Sequence, residues 1–186
     1  MSRFSEGMPR IEEMDYDLGP QRDPATGPGG YMLEPTDGPR VWFSGGMINW
    51  KARKIDTDGL FSASEWVMQE GFFVPPHRHE YEAEGMYVLE GKAEFTVGGD
   101  TFVAVPGSFV MIPRDTVHSI RGLTPSVRIF LIIAPGGYER FFEELGEPAR
   151  WYGVPGDATE GREATPAEMM EVGDRYAWRP GQKDQA

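Results

Sequence analysis

The sequence predicts an all-β protein, a sandwich or barrel of short antiparallel strands. Three observations predict it. Short runs rich in β-branched, aromatic and aliphatic residues recur from Arg40 to Ala134. Turn clusters such as Ser44-Gly45-Gly46, Thr57-Asp58-Gly59, Val97-Gly98-Gly99-Asp100 and Val105-Pro106-Gly107 separate them. A helical period appears only after that region ends.

Taken in order, the chain opens on a polar stretch. Three prolines and four glycines lie between Gly19 and Gly30, which favours coil over core structure. Residues 1–40 are therefore expected to form an N-terminal arm, read as a mobile tail in preference to a lid or a dimer-swapped arm. Strand signals follow at Arg40–Phe43, Met47–Lys51, Leu60–Met68, Met86–Glu90, Ala93–Val97, Thr101–Val105, Phe109–Ile112, Val117–Arg121 and Val127–Ile133. Gly98-Gly99 between two of them is a hairpin signal. After Pro135-Gly136-Gly137, the apolar residues Tyr138, Phe141, Phe142 and Leu145 fall on one helical face, and Gly146 and Pro148 stop the helix. A second short helix is expected over Thr165–Met170, with Thr165 as N-cap, Pro166 at the first position and Glu168 completing a capping box. The remainder reads as coil, anchored by Trp151, Tyr152 and Trp178. With no internal repeat and no linker, residues 1–186 read as one domain: arm 1–40, barrel 41–134, helical and coil extension 135–186.

Composition excludes several function classes. The formal net charge of −12 would repel a nucleic acid or an anionic bilayer, so neither is expected as a partner. There is no cysteine, which rules out disulfides, thiolate metal sites and cysteine nucleophiles. No apolar run reaches the ~18 residues of a membrane span. The expectation is a soluble, cytoplasmic protein.

The chain has three histidines. His77 and His79 are one residue apart, so in an extended strand they point the same way and can share a metal ion. Glu84 is close by, and imidazole and carboxylate are ligand types that a borderline divalent metal takes. The spacing Gly71-x5-His77-x-His79-x4-Glu84-x6-Gly91 matches the first cupin motif at every fixed position. The second motif is met in part by Gly107, Pro113 and His118, with Asp115 and Gly122 where a glycine and an asparagine are usual. Over residues 41–134 the chain thus resembles a single-domain cupin, a jelly-roll-like β-barrel. The resemblance implies one divalent transition metal (Fe, Ni, Mn, Co, Cu or Zn) held by His77, His79, Glu84 and His118. Glu80 and Glu82 are expected on a solvated loop beside the site.

Strand parity then gives wall residues. If Glu84 faces the cavity, so do Met86 and Val88; if His118 does, so does Ile120. On the strand 60–68 the expected cavity face is Ser62, Ser64, Trp66 and Met68. Trp66, Met68, Met86 and Ile120 are the substrate-binding candidates, with plain core packing as the alternative for each. Arg78 is out of phase with the histidines and expected outward. Arg114, Arg121 and Arg128 are expected as surface charges.

The stretch from Pro135 to Ala149 after the last barrel strand is similar to that of bacterial quercetinase-type (flavonol dioxygenase) cupins, over residues 31–154. Ala83 stands where an aromatic residue is frequent in that group. The resemblance implies a dioxygenase that takes a small aromatic or enolic substrate and O2, with Glu84 as catalytic base. The alternatives are a metal-dependent isomerase or cyclase and a non-catalytic small-molecule-binding cupin. A homodimer is expected, since a long bare strand edge is a hazard.

Overall fold

The structure is a computed structural model that describes residues 30–156 and 163–181; residues 1–29 of the arm expected over 1–40 lie outside them. Twelve strands occur among the described residues: β1 (Arg40–Phe43), β2 (Gly46–Ala52), β3 (Ser62–Met68), β4 (Phe73–His79), β5 (Ala83–Glu90), β6 (Ala93–Val97), β7 (Asp100–Ala104), β8 (Phe109–Ile112), β9 (His118–Gly122), β10 (Val127–Ala134), β11 (Glu147–Pro148) and β12 (Trp178–Pro180). Two helices, α1 (Glu139–Leu145) and α2 (Pro166–Arg175), follow β10. The strands form two sheets, in the orders β11-β1-β2-β3-β10-β5-β8 and β12-β4-β9-β6-β7. Every pairing is antiparallel. The all-β expectation is met, and the predicted strands fall on observed ones.

The core lies between the sheets. β10 shows why: Val127, Ile129, Leu131 and Ile133 are buried, and the residues between them face out. That is the period-two alternation of a half-buried strand. Gly98 and Gly99 both have positive φ, 58° and 99°, and close the β6–β7 hairpin. Such a two-residue turn matches the twist of its strands.

The end of the chain differs from the coil expected there. Thr165 caps α2 through a capping box with Glu168, as the sequence predicts. Beyond it, however, Trp178–Pro180 adds β12 to the edge of the five-stranded sheet, paired with His77–His79. Three residues are too few to show a period, which is why the sequence signal was absent. α1 is fixed by a buried carboxylate. Glu139 accepts hydrogen bonds from the Lys54 amide at 2.7 Å, the Gly137 amide at 2.9 Å and the Ser62 hydroxyl. These bonds tie the start of α1 to the start of β3.

Candidate metal centre

Three of the four expected ligands come from the five-stranded sheet. His77 and His79 share a face of β4, and His118 opens β9 directly opposite His77. Glu84 reaches in from β5 of the other sheet. All four are buried. A ligand nitrogen from each of the three imidazoles lies within 4.8 Å of the others. Glu84 Oε2 is 3.0 Å from His118 Nε2, and Glu84 Oε1 is 3.6 Å from His79 Nε2.

Local sequence orients these rings. Pro75-Pro76 removes two backbone donors, and the β4–β9 register slips between Val74 and His77. The Pro75 carbonyl is thereby 2.9 Å from His77 Nδ1, and the Thr116 carbonyl is 3.0 Å from His118 Nδ1. A carbonyl only accepts, so each Nδ1 carries the proton and each Nε2 is left bare. Asp115 has φ 57°, so the aspartate adopts the left-handed conformation that a glycine would take there. Its amide donates to the His79 carbonyl at 2.7 Å, and its carboxylate pairs with Arg78, which faces out as expected. At Gly122, a Cβ would stand 2.4 Å from the Gln69 carbonyl oxygen, so close approach of two backbones fixes the residue.

The electrostatics favour a cation. Burial holds the imidazoles of His77 and His79 below their ordinary range, His79 down to about 4, so both are neutral. Burial alone would raise Glu84, but its contacts with His79 and His118 outweigh this and hold its carboxyl down at about 2. Burial also opposes protonation of His118, yet the adjacent Glu84 carboxylate raises it. Glu84 Oε2 and His118 Nε2 face each other at 3.0 Å, both buried. With neither a proton nor a cation between them, two such electron-pair donors are costly. A shared divalent cation satisfies both, so these residues fit the metal that the sequence implies.

The cavity beside them is small, about 20 Å³. Trp66, Met86 and Ile120 line it, together with Phe43, Val74 and Pro75. Met68 does not: it lies one step further along β3, beside Phe72, Ile48 and Met47 at a separate void. Of the other residues on that face, Ser62 bonds Glu139, and Ser64 is buried away from the cavity. Glu82 is also corrected: it is 1% exposed, not solvated. Glu80 pairs with Arg179 at 3.1 Å. The remaining wall comes from beyond the barrel strands. Tyr138, Phe141 and Phe142 of the α1 segment, Met169 of α2 and Trp178 of β12 close the cavity. Tyr138 packs edge-on to His79 at 4.4 Å, and Trp178 stacks on His77 at 5.9 Å. The helical face was legible as apolar, but nothing in its period says that it covers histidines.

Comparison with known proteins agrees with this geometry. The family model described as "Cupin domain" matches residues 64–138. Quercetin 2,3-dioxygenase of Bacillus subtilis (strain 168) is 32% identical over 118 residues, 63% of this chain and 35% of that protein. Polyketide synthase CurC of Streptomyces cyaneus is 35% identical over 57 residues, 31% of this chain and 37% of that one. The chain thus spans about a third of the length of the curated relatives it matches. Among solved structures, KdgF from Halomonas sp. aligns with a TM-score of 0.52 and 20% identity, over 57% of this chain and 94% of that one. A predicted oxalate decarboxylase from Thermotoga maritima aligns with a TM-score of 0.50 and 20% identity, over 56% and 99% respectively. These two share the fold. Residues 64–138, which match the cupin domain model, include β4, β5 and β9, the three strands that carry the expected ligands, and the chain resembles the quercetinase type.

Proposed function

We propose that the chain is a metal-dependent dioxygenase of the quercetinase-like type, cleaving an enolisable hydroxy-ketone or phenolic substrate with O2. The observation that carries this reading is the convergence of neutral imidazoles and an ionised carboxylate in a cavity walled by aromatic and aliphatic side chains. The likeness to a quercetin 2,3-dioxygenase supports it. His77, His79, His118 and Glu84 would hold one divalent transition metal; Fe, Ni, Mn, Co, Cu and Zn all suit such a donor set. The bound ion supplies Lewis acidity toward a substrate oxygen and a centre for dioxygen chemistry.

The chain's own groups do the rest. Glu84 is held as a carboxylate by its imidazole contacts, while burial pushes the other way. When those contacts loosen, burial dominates and the carboxylate becomes a stronger base, able to take a substrate hydroxyl proton. Trp66, Met86 and Ile120 offer apolar surface to a flat ligand and exclude water. The experiment is an oxygen-electrode assay of metal-loaded protein with flavonols and other enolic or catecholic compounds. Oxygen uptake is expected, and Glu84→Gln is expected to abolish it. No uptake with any such compound contradicts the reading. Turnover without oxygen instead supports an isomerase or cyclase using the metal as Lewis acid.

We also propose a homodimer. β8 is a sheet edge, and the outer face beside it exposes Tyr87, Phe109, Met111 and Ile132. Phe109 is opposite Tyr87, and Met111 is opposite Gly85, so the patch is continuous. Sedimentation equilibrium tests this: a monomer at micromolar concentration contradicts it.

A further inference from the structure

The cavity of about 20 Å³ has room for a water-sized molecule, whereas sites for drug-sized ligands run to ~300–1,000 Å³. A flat aromatic substrate enters only if part of the wall moves. What holds each part of the wall decides which part that is. β3, β5 and β9, carrying Trp66, Met86 and Ile120, each have hydrogen-bonded neighbours on both sides. The α1 segment is tied down by the buried Glu139 carboxylate and its three hydrogen bonds. Met169 and Trp178 are held differently. β12 is a three-residue edge strand bonded only to β4. α2 buries only Val172 and Gly173 of its ten residues. Its polar fastenings are the pairs Arg175–Glu144, Arg179–Asp174 and Arg179–Glu80 and the hydrogen bond that the Tyr176 hydroxyl donates to Glu144, and exposed ion pairs contribute little. Ala177, between α2 and β12, has φ 52°, a conformation that L residues seldom adopt. Segments with few buried contacts are where local opening occurs.

The indole of Trp178 also has a telling position. It is inclined 25° to the His77 ring at 5.9 Å and 25° to the Phe141 ring at 6.2 Å. It therefore occupies a flat slot beside two aromatic rings, one of them that of an expected metal ligand.

We propose that α2 and β12 form a lid over the metal cavity, and that Trp178 is its specificity-determining residue. Trp178 fills the slot against His77 when the lid is closed and yields it to a planar aromatic substrate when the lid opens. The role of substrate rests on the proposed function; the opening does not.

The test locks the lid. Arg78 and Arg179 are direct cross-strand partners on the outward face of β4 and β12, and antiparallel neighbours are spaced for a disulfide. The chain has no other cysteine to interfere. The double variant Arg78→Cys/Arg179→Cys is compared oxidised and reduced, metal-free, by the rate of histidine acylation with diethylpyrocarbonate. All three histidines of the chain line the cavity, so the total acylation rate reads access to it alone. The oxidised form should react at least ~10-fold more slowly than the reduced form, and Trp178→Ala should react ~10-fold faster than the unsubstituted protein. Equal rates for the oxidised and reduced forms overturn the lid, and the comparison uses one polypeptide, so misfolding of Trp178→Ala leaves it decisive. The acylation needs neither metal nor oxygen. Redox-gated acylation without oxygen uptake would keep the lid and sink the dioxygenase reading; the reverse pattern would do the opposite.

Discussion

Glu84 and His118 show what a single contact asks of the chain. Their facing atoms, 3.0 Å apart and buried, are tolerable together only when a cation or a proton lies between them. His118→Ala should lower metal affinity by at least ~100-fold while the barrel stays folded, as read by metal content after dialysis against a weak chelator. Gly122 carries a different constraint. A Cβ there would meet the Gln69 carbonyl oxygen at 2.4 Å. Gly122→Ala should cost about 1–3 kcal/mol, measured by urea unfolding. The clustering of His77, His79, His118 and Glu84 was legible at this scale because residue type, spacing and parity act locally: two histidines on one face of one strand need only the period of a strand. The Glu82 burial and the drift of Met68 to a neighbouring void were not legible. Met68 meets Met47 and Ile48 of the neighbouring strand and Phe72, and neither placement is encoded by parity along one strand.

Among the elements, α2 has the clearest sequence logic and β12 the least. Thr165 Oγ1 accepts from the Glu168 amide, and Glu168 returns a bond to the Thr165 amide. Thr165→Ala should cost about 1 kcal/mol of helix stability, seen as faster hydrogen exchange in α2 with β10 unchanged. Capping residues sit at fixed offsets, so the helix start could be read directly. β12 has three residues and no period. It becomes a strand because Trp178 finds the rings of His77 and Phe141, an interaction across about a hundred residues of chain for the first of these. The clustered histidines and Glu84 were therefore visible from the sequence, and the structure adds the aromatic cover over them.

For the whole molecule, burying neutral imidazoles links stability to pH. In the metal-free protein His77 and His79 have folded pKa values below their ordinary ones. The unfolded chain then binds more protons, so stability is full above pH 6.5 and falls as pH drops toward about 4. His79 alone accounts for on the order of 3 kcal/mol across that window. Glu84, held at about 2, extends the loss below its ordinary value of 4.5. His118, raised by Glu84, has the opposite sign. Thermal melts of metal-free protein between pH 7 and pH 4 should show a falling midpoint; a flat or rising one contradicts the buried neutral imidazoles. The all-β class was legible at this scale from strand alternation and turns, whereas the closure of the cavity depends on the end of the chain folding back over its middle. Everything functional rests on the metal. The most direct measurement is elemental analysis of purified protein, in parallel with His77→Ala and His118→Ala, after incubation with divalent transition metals and gel filtration. One equivalent of metal per chain in the unsubstituted protein, lost in both variants, is the predicted result. No retained metal, or equal retention in the variants, would contradict the account.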